Sequence, residues 1–187
     1  MRRFSDRKAW WVARTVVLGC AAILMQACSA IPIFSPRVME GVDEGFEVQA
    51  WWEAPNAVVG RKVELGGQIV RGDVRNGETF LVATHLSIVD QLVYESLEND
   101  RPVNHYGIHY RATIDPKWLT PGNHFMVVGI TSKAKSVFIN GTQRTVPFVA
   151  AECLHVWKSA DTPPVLPLAE AEKFAALEHV TYCTSGY

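Results

Sequence analysis

Six histidines and four cysteines carry most of the chemistry available to this chain. His105 and His109 stand four apart, a spacing that on a helix puts two zinc ligands on one face. Gly107 lies between them, however, and the segment alternates as a strand. Four residues along a strand cover about 13 Å, too far for one ion. His85, His124, His155 and His179 have no cysteine or carboxylate beside them at ligand spacing. No metal and no other cofactor is therefore expected. Neither a Gly-x-Ser-x-Gly elbow nor a Gly-x-x-x-x-Gly-Lys phosphate loop occurs. Asp115 precedes Pro116 and reads as a turn residue rather than a general base. No catalytic residue is assigned, and an enzyme is not expected.

The cysteines point to an address instead. Arg2, Arg3, Arg7, Lys8 and Arg14 make a basic start, and Thr15 to Ala27 is an uncharged apolar run. That is the layout of a secretory signal. The run ends Leu24-Met25-Gln26-Ala27-Cys28-Ser29. A small residue followed by cysteine is what a lipoprotein signal peptidase requires, the thiol being diacylglycerylated before the cut. Cys28 is the expected lipidation site. Cys20, in Val17-Leu18-Gly19-Cys20, is a rival, but Arg14 lies too close upstream to leave an apolar region. Ser29, not aspartate, directs such a product to the outer membrane. Two other outcomes stay open. The uncharged run from Thr15 to Ser35 is about long enough to span a bilayer as an uncleaved inner-membrane anchor, although Pro32 and Pro36 weaken its distal half. Ordinary cleavage after Ala27 or Ala30 would release a soluble periplasmic protein. With Cys20 removed and Cys28 acylated, Cys153 and Cys183 remain, and an oxidising compartment favours their pairing. The alternative is a buried Cys153 and a free Cys183.

The elements around these residues are mostly strands. The 187 residues are 48% hydrophobic, which suits an ordinary globular domain. From Cys28 onward 13 cations face 18 acids, leaving no electrostatic footprint for nucleic acid. Residues 1–27 read as signal peptide and 28–57 as a tether and lead-in. From Lys62 the period is two, with Val63, Leu65, Gly67 and Ile69 on one face. Asn76-Gly77 marks a tight turn into a second strand, Thr79 to Leu86. Residues 87–104 read as a helical turn or loop. Further strands are expected at Tyr106 to Thr113, His124 to Thr131 and about Thr145 to Trp157, with Pro147 near the start of the last. Asn140-Gly141 is a second tight-turn dipeptide. The expected fold is mainly β, a small five-stranded OB-like barrel over residues 58–158, with a sandwich as the alternative. Gly66-Gly67 fits backbone crowding in a coiled strand. Residues 159–187 read as a Pro-rich spacer and a short helical tail, the helix from Ala169 to Val180.

The stretch Gly60-Arg61-Lys62-Val63-Glu64-Leu65-Gly66-Gly67-Gln68-Ile69 resembles the Gly-x-x-Val-x-x-Gly-Gly-x-Ile signature of the Slp family. These are starvation-inducible outer-membrane lipoproteins of Gram-negative bacteria. The likeness continues through Asp115-Pro116, Pro121-Gly122-Asn123-His124, Val127-Val128-Gly129-Ile130, Val146-Pro147-Phe148-Val149 and Leu154-His155-Val156-Trp157. Departures occur at Gly107-Ile108-His109-Tyr110 and at Val146-Pro147, which mark a divergent member. The resemblance implies an outer-membrane location and supplies no active site.

Three function classes remain. The first is a lipid-anchored, non-catalytic envelope module acting through binding or structural contacts with an unidentified envelope protein. The second is a periplasmic carrier holding a small apolar ligand. An enzyme is the third. Trp51, Trp52, Tyr106, Tyr110, Trp118 and Trp157 either line a ligand groove or fill a small core. Outer membrane lipid, through the acylated Cys28, is the one partner the sequence names.

Overall fold

The computed structural model describes residues 32–89, 92–94, 104–159 and 178–184. Two units divide the chain, Met1–Pro32 and Ile33–Tyr187, and every element below belongs to the second. The lipidation site Cys28, its rival Cys20, the signal segment and the Pro-rich spacer lie outside the described residues.

The protein is mainly β. Its strands are β1 (Lys62–Arg75), β2 (Glu78–Val89), β3 (Leu92–Tyr94), β4 (His105–Tyr110), β5 (His124–Ile139), β6 (Thr142–Trp157) and β7 (His179–Cys183). Two short helices, α1 (Pro36–Met39) and α2 (Val48–Glu53), precede them, and a 3-10 turn spans Pro116–Trp118. The hydrogen-bonded path runs β1-β5-β6-β4-β2, and β2 pairs back with β1, so five strands close a ring. All ring pairings are antiparallel except β4 with β6. β3 extends β2, and β7 extends β6.

Local chemistry explains the ring's corners. Both expected tight turns form: Asn76 and Gly77 have φ of 53° and 82°, Asn140 and Gly141 have 50° and 78°. Paired positive φ values suit the two-residue hairpin turns whose twist matches that of the strands. Close strand approach needs a missing Cβ at Gly67 and Gly107. A Cβ on Gly67 would lie 2.6 Å from the Thr84 carbonyl oxygen, and one on Gly107 would strike the Phe148 ring.

The expected inward face of β1 is observed: Val63, Leu65 and Ile69 sit in the main core with Leu81, Tyr106, Ile108, Phe125, Val127, Leu154 and Val156. A bulge then shifts the register between Ile69 and Arg71. Because side chains alternate, one extra residue sends the following odd-numbered positions to the opposite face. Arg71, Asp73 and Arg75 consequently face outward, beside Val82, Phe80 and Glu78 of β2.

Several expectations need correcting. β5 runs on to Ile139 and β6 starts at Thr142, so the two form a long ribbon rather than strands ending at Thr131 and starting near Thr145. Pro147 therefore stands within β6, opposite the irregularity between Ser132 and Lys135, where no ladder N–H is required. Part of the 87–104 segment is strand, namely the end of β2 and β3. The helix expected up to Val180 is contradicted at its end: His179 and Val180 belong to β7, because pairing with β6 overrides the local helical preference. The rest of that helix, residues 169–177, lies outside the described residues. The lead-in segment is docked from Ile33 onward, with Phe34 covering Met126, Val128 and Cys153.

Candidate functional site

Among the described residues the ring interior is occupied by core side chains. Trp51 on α2 is fully buried and meets Phe46 and Tyr106 at ring-centroid distances of 5.6 and 5.9 Å. Tyr106 spans the interior to donate its hydroxyl to the Gly66 carbonyl at 3.1 Å, and burial raises its pKa well above the ordinary value. Tyr110 and Trp118 join the same core. Trp52 is half-buried and donates Nε1–H to the His105 carbonyl at 3.0 Å. Trp157 packs outside the ring, near Cys153. Thus four of the six aromatic residues singled out from sequence are interior packing. Among the described residues, Trp51 Nε1 is the one buried side-chain polar atom without a hydrogen-bond partner.

A groove of about 510 Å³ opens on the outer face of β1 and β2 instead, walled by the β5–β6 ribbon. Register builds its floor. Arg71 lies across from Val82, which faces Gly107 of β4, which faces Phe148 of β6. Asp73 lies across from Phe80, which faces His109. Arg75 faces Glu78. The wall contributes Lys135, Ser136, Val137 and Phe138, and the β1–β2 turn contributes Asn76. Phe138 is 60% exposed.

The floor is electrostatically ordered. Asp73 Oδ2 accepts from Arg75 Nη2 at 3.1 Å and forms an ion pair with Arg71 Nε at 3.2 Å. Glu78 Oε2 is 2.9 Å from His109 Nε2, and the His109 and Phe80 rings stack in parallel at 4.5 Å. Arg71 also donates Nη1–H to the Phe138 carbonyl at 3.2 Å, tying wall to floor. Lys135 Nζ sits 4.9 Å over the Phe148 ring, a cation–π geometry. Such a surface can hold charge and flat apolar faces.

The histidines separate into different roles. His109 meets Glu78 and Phe80 from β4 and so braces the groove floor from beside it, but neither it nor His105 lines the groove. His85 packs edge-on against Trp52 at 5.2 Å, and burial lowers its pKa to about 4. His155 shares a 2.6 Å hydrogen bond with Thr181 and lies 5.1 Å from the His179 ring. Burial first, and His179 second, lower its pKa to about 4. The His155–His179 meeting is a product of β6–β7 pairing and has no signature in their spacing. Among the described residues no group of three or more potential ligands gathers for a metal. Asp115 accepts from the Lys117 N–H at 3.1 Å, a bond that holds its carboxyl below the usual range.

Cys153 and Cys183 are bonded to one another across directly paired positions of β6 and β7, with Cα atoms 4.1 Å apart. None of the groove's lining residues was singled out from sequence as a candidate site residue. The alternation of Arg71, Asp73 and Arg75 was visible, but the bulge that turns it outward has no clear sequence mark.

The family described as "Outer membrane lipoprotein Slp family" matches residues 25–182. No curated protein matches the chain. A solved structure, the small single-stranded DNA-binding protein from Streptomyces coelicolor, is similar at 16% identity. It covers 51% of this chain and 92% of its own, with a TM-score of 0.33, too slight a likeness to bear on ligands.

Proposed function

This chain belongs to the outer membrane lipoprotein Slp family, and from that premise we propose that it is a non-catalytic binding module, lipid-anchored through Cys28, that meets its partner in the outer groove. As a member it is a lipoprotein of the Gram-negative outer membrane. We read the closed five-strand ring, with its one parallel pair, as an OB-like barrel. In barrels of that kind the second and third strands and the neighbouring hairpin loops form the binding face. Here those are β2, β4, the Asn76-Gly77 turn and the β5–β6 ribbon.

The single observation that carries the reading is the contrast between a filled interior and an open groove with an exposed Phe138 beside it. Exposed apolar groups rimmed by charge mark interaction sites. The carrier alternative needs an apolar cavity inside the ring, where Leu65, Tyr106, Phe125 and Val127 are core side chains. Anchoring through Cys28 follows from the small residue before it, and acyl chains at that thiol would hold the protein at the membrane.

Two experiments test this. Labelled palmitate should enter the wild type and Cys20→Ser but not Cys28→Ser, which should accumulate as precursor. A photo-crosslinking residue at position 138 in intact cells should form discrete adducts that the same residue at position 40 does not. Equal adducts at both positions, or none at 138, would remove the groove from the account.

A further inference from the structure

Resting on the groove as the binding surface, we infer that its ligand is an anionic saccharide, held by sugar-ring contact with the phenyl groups and by its carboxylate or phosphate at the ribbon's cations. Charge comes first. The lining carries three cations, Arg71, Arg75 and Lys135, against two acids; Asp73 is ion-paired with Arg71 and Arg75, and Glu78 shares a hydrogen bond with His109. Lys135 lines the groove, and Arg144, paired with Val137 across the ribbon, shares the face of that lining residue. Neither cation has a salt-bridge acid among the described residues, so the charge left over in the groove is positive. The surrounding sequence sharpens this. Between Asp115 and Glu152 there is no acidic residue, while Lys133, Lys135 and Arg144 all occur on the ribbon. The chain from Cys28 is otherwise acidic, 13 cations against 18 acids. A cationic groove in an acidic body attracts a small anion and repels a long polyanion passing over its rim.

Shape and polarity come second. The groove's volume lies in the usual range for small-ligand sites, yet five of its lining side chains are charged, which disfavours a fatty ligand. The exposed Phe138 and the half-buried Phe80 provide flat apolar faces, and Asn76, Ser136, Asp73 and Glu78 provide hydrogen-bonding groups for hydroxyls. An apolar ring face, many hydroxyls and one acidic group are the attributes of an acidic sugar. Guanidinium and ammonium groups recognise either carboxylate or phosphate, so the chemistry is common to both.

The test is calorimetric titration of the mature lipoprotein in detergent micelles at low salt. Four probes are compared: carboxylate-bearing muramyl fragments of peptidoglycan, delipidated phosphorylated lipopolysaccharide core, neutral maltohexaose, and a thymidine decanucleotide. At least one anionic saccharide should bind about tenfold or more tighter than maltohexaose, and which one does so distinguishes carboxylate from phosphate. Lys135→Gln with Arg144→Gln should reduce that affinity about tenfold, as loss of charge-assisted bonds predicts. Lys62→Gln with Lys117→Gln, away from the groove, should leave it unchanged. Equal affinity for maltohexaose, or tighter binding of the decanucleotide, would overturn the inference. So would absence of all saccharide binding while adducts still form at position 138, which would leave the groove standing with a different ligand. Loss of both binding and adducts would remove the groove reading as well.

Discussion

The interior of the ring and the groove outside it are built from the same strands and differ in almost everything else. β1 gives Val63, Leu65 and Ile69 to the interior and Arg71, Asp73 and Arg75 to the groove. β4 gives Tyr106 and Ile108 to the interior and turns His109 outward against Phe80. One region is apolar, aromatic and covered by Trp51; the other is open, charged and rimmed by a projecting ribbon. The bulge after Ile69 separates them on β1, because it reverses which alternate residues face inward. Stability is therefore concentrated on one side of a strand and recognition on the other, and the two should respond differently to substitution.

The largest effect should come from the interior. Trp51→Ala should cost about 3–5 kcal/mol, the range for truncating a buried aromatic side chain. Urea unfolding measures it. Trp51→Phe should cost far less, since it removes a buried N–H that has no partner.

Next is the link that fixes β7 to β6. Cys153 and Cys183 are separated by 30 residues, for which the chain-entropy model gives about 3–4 kcal/mol. Cys153→Ala with Cys183→Ala should lower the urea midpoint accordingly. Hydrogen exchange should rise first in β7, which pairs only with β6.

Acid should probe the buried His155 and the half-buried His85. Each has a folded pKa of about 4, below the ordinary histidine value of about 6.5. Above pH 6.5 neither state is protonated there, so nothing is gained or lost. As pH falls from 6.5 towards 4, the unfolded chain binds protons that the folded one refuses, and stability declines. The wild-type midpoint should drop between pH 7 and pH 5, and less in His85→Phe with His155→Gln. An equal drop would place the acid sensitivity elsewhere.

Groove substitutions should affect stability least. Lys135→Gln and Phe138→Ser should each stay within about 0.5 kcal/mol of wild type, the norm for exposed positions. Phe138→Ser should nevertheless weaken ligand binding. A Phe138→Ser variant that unfolded easily would show the ribbon to be a structural prop rather than a recognition wall.

How much of this was legible in the sequence follows from which interactions are local. Both Asn-Gly turns and the inward set Val63, Leu65 and Ile69 could be read directly, because turn chemistry and alternation are local properties. Strand ends could not. Lys133 to Ser136 and Thr142 to Thr145 are polar because the ribbon leaves the core there, so the apolar signal fades while hydrogen bonding continues. β7 was read as helix up to Val180, since its strand identity comes from the β6 edge it joins. Of the two roles open to the aromatic residues, core filling is the one most of them take. Trp51, Tyr106, Tyr110 and Trp118 are the core, while the groove uses phenylalanines that look like ordinary strand residues. The groove itself required two things no spacing reveals: a bulge at one position, and a ribbon placed over an outward face.

The central claim is that recognition occurs in the outer groove and not through the end of the ring closed by α2. Hydrogen exchange of the lipoprotein in native outer membranes, compared with the same protein extracted into detergent, tests this most directly. The account predicts added protection at residues 75–78 and 133–145, with residues 48–53 unchanged. Protection gained at 48–53 around Trp51, with the two hairpins unaffected, would contradict it and return the function to the ring's interior.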